Sequence, residues 1–223
     1  MTLIILLIVA VVIGGRIIRW KPQRDHRPLT PQAIKDRLGH EGEALVAKEL
    51  KGLSGEYHTY NDLLLKVDNR GIGSTQIDHL VLSKYGIFVI ETKNWAGKIY
   101  GKREYKSWVR IKDDGSKNFF GNALHQNDAH IHGLLSFLPR YAGKHIVGLV
   151  AFSERGTLIY DEPGVGYTHD VLPTIKSFTN IMYSDRELSR IKRAIDSRIL
   201  SDAQSAARHV RRAKGARYAR SRS

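Results

Sequence analysis

Two apolar runs on either side of a short polar turn constrain this chain more than any other feature. The stretch QIDHLVLSKYGIFVIETKNW, residues 76–95, places Ile, Leu, Val or Phe at most positions flanking Ser83–Gly86. Such runs around such a turn predict a β-hairpin covered on both faces, as in the middle of an α/β sheet. The same stretch carries Asp78, Glu91 and Lys93. With Ser83–Gly86 as the turn, paired residue numbers sum to 169, so Asp78 opposes Glu91 and Gln76 opposes Lys93. Directly opposed residues of an antiparallel pair share a face, with β-carbons about 4.5–5.5 Å apart. A three-residue loop with Gly86 in a bulge would raise the sum to 170 and turn the two acids to opposite faces. In the first register two carboxylates repel, and burial deepens the repulsion. A divalent cation reverses that sign. Magnesium accepts one or two carboxylates, keeps several waters and commonly carries phosphate oxygens. With Lys93 alongside, the group suits metal-assisted phosphodiester hydrolysis. The competing reading is a strand end at which Glu91 and Lys93 pair across the sheet.

The rest of the 223 residues is arranged around this hairpin. LIILLIVAVVIGG, residues 3–15, is uncharged and is followed by Arg16, Arg19 and Trp20. About 20 helical residues span roughly 30 Å. The positive charge follows the apolar run, whereas a signal peptide carries it in front. The expectation is a single-pass transmembrane helix over residues 1–20 at the cell inner membrane, with the rest of the chain facing the cytoplasm. Residues 21–30 form a polar linker. Thr30 and Pro31 are a helix N-cap and first helical residue. Ile34, Leu38, Leu45, Val46 and Leu50 carry that helix to about Leu53. Strands are expected over 57–67, 97–101 and 107–111, a turn over 113–116, and a helix over 122–138. The near-continuous apolar run 145–152 reads as a central strand. Residues 185–200 form an amphipathic C-terminal helix with Leu188, Ile191, Ile195 and Ile199 on one side. The principal domain thus covers 31–184. Helix, strands, helix, strand, helix is an α/β layered order.

Composition narrows the chemistry. There is no cysteine, which excludes disulfides, thiol nucleophiles and thiolate zinc sites. Lys and Arg number 36 against 22 Asp and Glu. That excess favours a polyanionic partner, nucleic acid before anionic lipid. The tail 201–223 has seven Lys and Arg against one Asp, and is expected to contact nucleic acid or membrane lipid.

Asp78 followed by Glu91-Thr92-Lys93 after an apolar strand is similar to the Asp…Glu-x-Lys pattern of the restriction-endonuclease-like superfamily. Gly39-x-x-Gly42-Glu43, Gln76-Ile77-Asp78-His79, Gly86 to Trp95, Gly97-x-Ile99-x-Gly101 and Gln126-Asn127 together resemble the nuclease-related domain. The resemblance covers roughly residues 35–155. It implies a three-layer α/β core with a mixed central sheet, Asp78 and Glu91 as ligands of Mg2+ or Mn2+, and Lys93 as the catalytic lysine. It further implies a supporting acid at Glu43 and cleft positions at Gln76 and Gln126. The family pattern has Pro after Asn122, where this chain has Ala123, which leaves the start of that helix open.

Three other groups carry weaker signals. His125 and His132 can share a helix face, with His130 off it, and exposed helix histidines are the default reading. His79 faces away from Asp78 as a packed core residue. Trp95, Tyr100, Tyr105 and Trp108 are interleaved with Lys98, Lys102, Arg103, Lys106 and Arg110. That pattern suits a nucleic-acid surface, or else a β-meander with a wet cationic face. The expected partner is nucleic acid, with DNA ahead of RNA. The functional expectation is a membrane-anchored, metal-dependent nuclease. The alternatives are a nucleic-acid-binding module without catalysis and a membrane-tethered scaffold.

Overall fold

The computed structural model describes residues 28, 30–67 and 73–200, together with the backbone of Ala10–Ile13 and Arg16–Arg19. The chain divides into two compact units, Met1–Lys35 and Asp36–Ser223. In the first, β1 (Ala10–Ile13) and β2 (Arg16–Arg19) pair antiparallel, Val11 opposite Ile18 and Ile13 opposite Arg16. This hairpin stands where a membrane helix was expected. Val11, Val12, Ile13, Ile17 and Ile18 are β-branched and favour extended backbone. The sequence between the strands, Gly14-Gly15, is a poor helix former. Among the described residues no helix is long and apolar enough to cross a membrane. The other residues of 1–27 and the tail 201–223, with the lipid contacts expected of them, lie outside the described residues.

Helix α1 (Pro31–Leu50) begins as its sequence indicates, with Thr30 Oγ1 accepting from the Ala33 N–H at 3.2 Å. Its buried residues are Gly42, Val46 and Leu50. Ile34 and Leu45, expected on the apolar face, are 46% and 40% exposed. The reason is where the helix docks. A β-carbon at Gly42 would stand 2.7 Å from Asn94 Cβ and 3.3 Å from a Thr92 methyl. The Asn94 amide also donates to the Leu38 carbonyl at 2.7 Å, while its oxygen accepts from the Ser153 hydroxyl at 2.6 Å. The contact with the sheet thus follows Gly42 and its i+4 and i+8 neighbours.

The main sheet has the order β11-β9-β5-β4-β3, where β3 is Tyr57–Lys66, β4 Ser74–Ser83, β5 Gly86–Lys93, β9 Ile146–Phe152 and β11 Val165–Tyr167. β3, β4 and β5 form an antiparallel meander, and β5, β9 and β11 run parallel, so the sheet is mixed. Alternation along β4 and β5 gives it two apolar faces. Leu80, Leu82, Ile87 and Val89 pack with Leu134 of α2 (Ala123–Leu135) and with Ile191 and Ile195 of α4 (Asp185–Asp196). Val81, Phe88 and Ile90 pack with Val46 and Leu50 of α1 and with Val171 and Ile175 of α3 (Val171–Lys176). Helices therefore cover both sides of the sheet, and α4 belongs to the same core. Besides β1 and β2, three strands went unread in the sequence: β8 (Lys117–Gly121), β10 (Gly156–Leu158) and β11. With β6 (Gly97–Tyr100) and β7 (Ser107–Ile111), β8 and β10 build a second sheet of order β10-β6-β7-β8. Ile99 and Trp108 are buried beneath it against Val150 and Phe152.

Two side chains fix α2. Asn122 caps it, its oxygen accepting from Leu124 N–H at 2.9 Å, so the helix starts at Ala123 without the family's proline. The buried Asn127 amide donates to the carbonyls of Val89 at 2.9 Å and Leu149 at 3.0 Å, tying the helix to β5 and β9. Filling the tight contact beneath α1 tests how this layer docks. Gly42→Ala should lower unfolding stability by about 1–3 kcal/mol in urea titration, and a variant as stable as wild type would contradict the close approach.

Candidate functional site

The hairpin register is the one that sums to 169. Ser83 pairs with Gly86, Leu82 with Ile87 and His79 with Ile90, with no bulge at Gly86. The ladder ends at His79–Ile90. Beyond it the Thr92 N–H donates to the Asp78 carboxylate at 2.8 Å, so a side chain closes the end of the strand pair. By alternation Asp78 follows Leu80, and Glu91 follows Val89, onto the face that α2 covers.

Glu91 is 3% exposed. Its Oε1 accepts from Lys93 Nζ at 2.5 Å and from the Gln126 amide at 2.7 Å. Lys93 Nζ also donates to Gln126 Oε1 at 3.0 Å, closing a three-membered ring of polar groups. Glu91 Oε2 is buried without a hydrogen bond. His130 Nε2 lies 3.3 Å from it, at ion-pair distance. The other ring nitrogen of His130 meets Thr75 Oγ1 at 2.8 Å.

The two acids are driven apart in their readiness to ionise. Burial first, and then the charge of Glu91, push Asp78 up to about 7, with Glu43 adding to the rise and the Thr92 N–H and Lys93 opposing it. Burial alone would raise Glu91 as well, but Lys93 and His130 hold its carboxyl down to about 2. One buried carboxylate is thus fully ionised beside a second that resists ionisation.

Glu43 projects from α1 next to the Gly42 contact, half-buried, with His40 at 3.5 Å. Gln76 is exposed and donates to Asp62 at 2.6 Å rather than turning to Lys93. Asp62 stands between the paired residues Asn61 and Leu63, opposite Asp78, with φ at +49°. His79 is buried, bonded to Asn61 at 2.7 Å, and driven down to about 4 by burial. The five cations expected to bind nucleic acid are dispersed around the second sheet. Lys98 and Lys106 are exposed. Arg103 pairs with Asp128 at 2.9 Å, Lys102 lies 5.1 Å from the Tyr160 ring centroid, and Arg110 lies 5.8 Å from that of Trp95. Trp108 is in the core and is no stacking surface.

Among the described residues no three of His, Asp and Glu converge as a metal cage. A pair of carboxylates remains, and it fits a hard cation. Glu91 Oε2, facing His130 at 3.3 Å, and Asp78, pushed up by burial and by Glu91, are both stabilised as anions by positive charge.

A model of the family described as the nuclease-related domain matches residues 38–153. The chain belongs to that family. An uncharacterised protein of Bacillus anthracis is 28% identical over 179 residues, covering 78% of this chain and 82% of the relative. The crystal structure of AF1548, a protein of unknown function, aligns with 79% of this chain and 97% of its own. At 14% identity and a TM-score of 0.30, that alignment does not bear on the fold.

The nuclease-related domain so bounded contains Glu43, Asp78, Glu91, Lys93 and Gln126, and also His130, which sequence reasoning set aside. The signal was present: Gln126 and His130 are four apart on one helix and share a face. His125 and His132 are exposed, as expected, whereas His130 is half-buried.

The raised Asp78 has a consequence for stability. A folded-state pKa above the unfolded value means the folded chain binds this proton more tightly, so stability falls as pH rises from about 4 through 7. At about 1.36 kcal/mol per unit, the limit is about 4 kcal/mol. In chelator, Asp78→Asn should gain about 1–3 kcal/mol over wild type at pH 8 and little at pH 4.5, by urea titration. An equal difference at both pH values would contradict the shift.

Proposed function

We propose that this chain is a metal-dependent nuclease that hydrolyses nucleic-acid phosphodiesters, DNA foremost, on a restriction-endonuclease-like core. The observation that carries the reading is the buried Glu91 Oε2, facing the His130 ring at 3.3 Å, beside an Asp78 carboxyl that burial and then the Glu91 charge push up to about 7. Such a pair is a poor structural device and a good cation site. Asp78 and Glu91 would hold Mg2+ or Mn2+, with Glu43 as the third negative charge nearby. A divalent ion bound there supplies charge neutralisation for the phosphate and acidifies a water.

The chain's own residues do the positioning. Lys93 Nζ is held between Glu91 and Gln126, so its charge sits at a defined point beside the carboxylates. There it can orient the attacking water or stabilise the negative charge that develops on phosphate oxygens. Gln126 keeps Lys93 and Glu91 in register by donating to one and accepting from the other. Hydrolysis forms one P–O bond from water and breaks one to a sugar oxygen, which leaves with a proton. One feature favours a second reading, nucleic-acid binding without catalysis: Lys93 is already paired to Glu91 and lies 13% exposed.

A cleavage assay on single- and double-stranded DNA and RNA separates the two. With Mg2+ or Mn2+ the wild type should yield product and with chelator none. Glu91→Gln, which keeps the side-chain shape, should reduce the rate about 100-fold or more while melting as a folded protein. Product formed equally by Glu91→Gln, or salt-sensitive binding with no product under any metal, would set the nuclease reading aside.

A further inference from the structure

The second sheet has a face that the catalytic reading leaves unused. Its inner side carries Ile99 and Trp108, both buried, and Phe120 packed beside them. The outer side follows from the registers. Tyr100 opposes Val109 and Val109 opposes Phe119, so these three form one cross-strand row. Lys98 opposes Ile111 and Ile111 opposes Lys117, so a second row with a lysine at each end lies directly beside the first. Phe119 is 72% exposed, the most exposed large hydrophobic side chain among the described residues. Tyr160, itself 39% exposed, extends the aromatic row. Its ring meets Tyr100 edge-on at 6.1 Å, with Lys102 Nζ 5.1 Å away.

We propose that this outer face, built on Tyr100, Val109 and Phe119 with Lys98 and Lys117 beside them, binds single-stranded nucleic acid. Flat rings on an open sheet stack on bases, and flanking amines meet the phosphates. A duplex hides its base faces in its own stack, so the rings select unpaired strands. Charge argues against a second copy of the chain as occupant. Residues 97–121 carry seven Lys and Arg against three Asp and Glu, and two such faces repel. The sheet also adjoins the carboxylate site. Trp95 packs edge-on against Phe120 at 4.0 Å, and its ring centroid lies 5.6 Å from Lys93 Nζ. The inference deepens the nuclease reading and rests on it only for calling the bound strand a substrate.

Binding is measured without catalysis, by fluorescence anisotropy of a labelled oligothymidylate and of a labelled duplex with the full-length protein in chelator. Phe119→Ala should weaken single-strand binding roughly fivefold or more and change duplex binding less than about twofold. Phe119→Trp should restore it, and both variants should melt within a few degrees of wild type. Wild-type affinity in Phe119→Ala would overturn the proposal. So would an equal loss for both probes, or a dimer that dissociates on Phe119→Ala with DNA binding unchanged. Failure of wild type to cleave with Mg2+ would remove the nuclease reading and leave these binding values standing.

Discussion

Everything at the candidate site depends on how Glu91 is buried. A carboxylate with 3% of its surface exposed is costly unless charge and hydrogen bonds surround it. Here Lys93 and Gln126 satisfy one oxygen and His130 faces the other. Removing one partner of such a pair typically costs about 3–5 kcal/mol. The cluster is therefore a constraint on the fold. It fixes where α2 must lie, because Gln126 and His130 both come from that helix. It also fixes the end of β5, because Lys93 must turn back towards its own strand.

The surrounding structure meets that demand with buried asparagines. Asn94 joins α1 to the end of β5 through Leu38 and Ser153. Asn127 joins α2 to the backbones of β5 and β9. Asn122 starts α2 and reaches back to the loop before β7, donating to the Tyr105 carbonyl at 2.7 Å. Each donates to backbone carbonyls outside its own element. Together they bring two helices from opposite faces of the sheet to the point where the β4–β5 ladder opens. Glu43 approaches from one side, Gln126 and His130 from the other. The opening itself comes from Asp78, whose carboxylate takes the N–H of Thr92.

Much of this was legible in the chain. The apolar runs on both sides of Ser83–Gly86 require a doubly covered hairpin, and a turn without a bulge sets the register that turns Asp78 and Glu91 to one face. Thr30-Pro31 marks the start of α1. What escaped has physical causes. His130 was hidden because its partner is not in its own helix, so only the shared face with Gln126 pointed to it. The buried stripe of α1 was misjudged because a glycine, not an aliphatic residue, makes its closest contact. β10 and β11, three residues each, are too short to show a period, and β8 shows none because Phe119 and Phe120 are adjacent. Residues 10–19 are apolar enough for a helix, yet their β-branched content agrees equally well with the paired strands found there. Of the aromatics interleaved with cations, Trp108 packs the core, as the β-meander alternative has it, and the cross-strand registers bring Tyr100 and Phe119 outward.

The central claim is that Asp78 and Glu91 share one cation. Anomalous diffraction from crystals soaked in Mn2+ tests it most directly. A cation shared by Asp78 and Glu91 gives a single strong peak within about 2.0–2.5 Å of a carboxylate oxygen from each residue. A peak bound elsewhere, or none between these two side chains at saturating Mn2+, would contradict it.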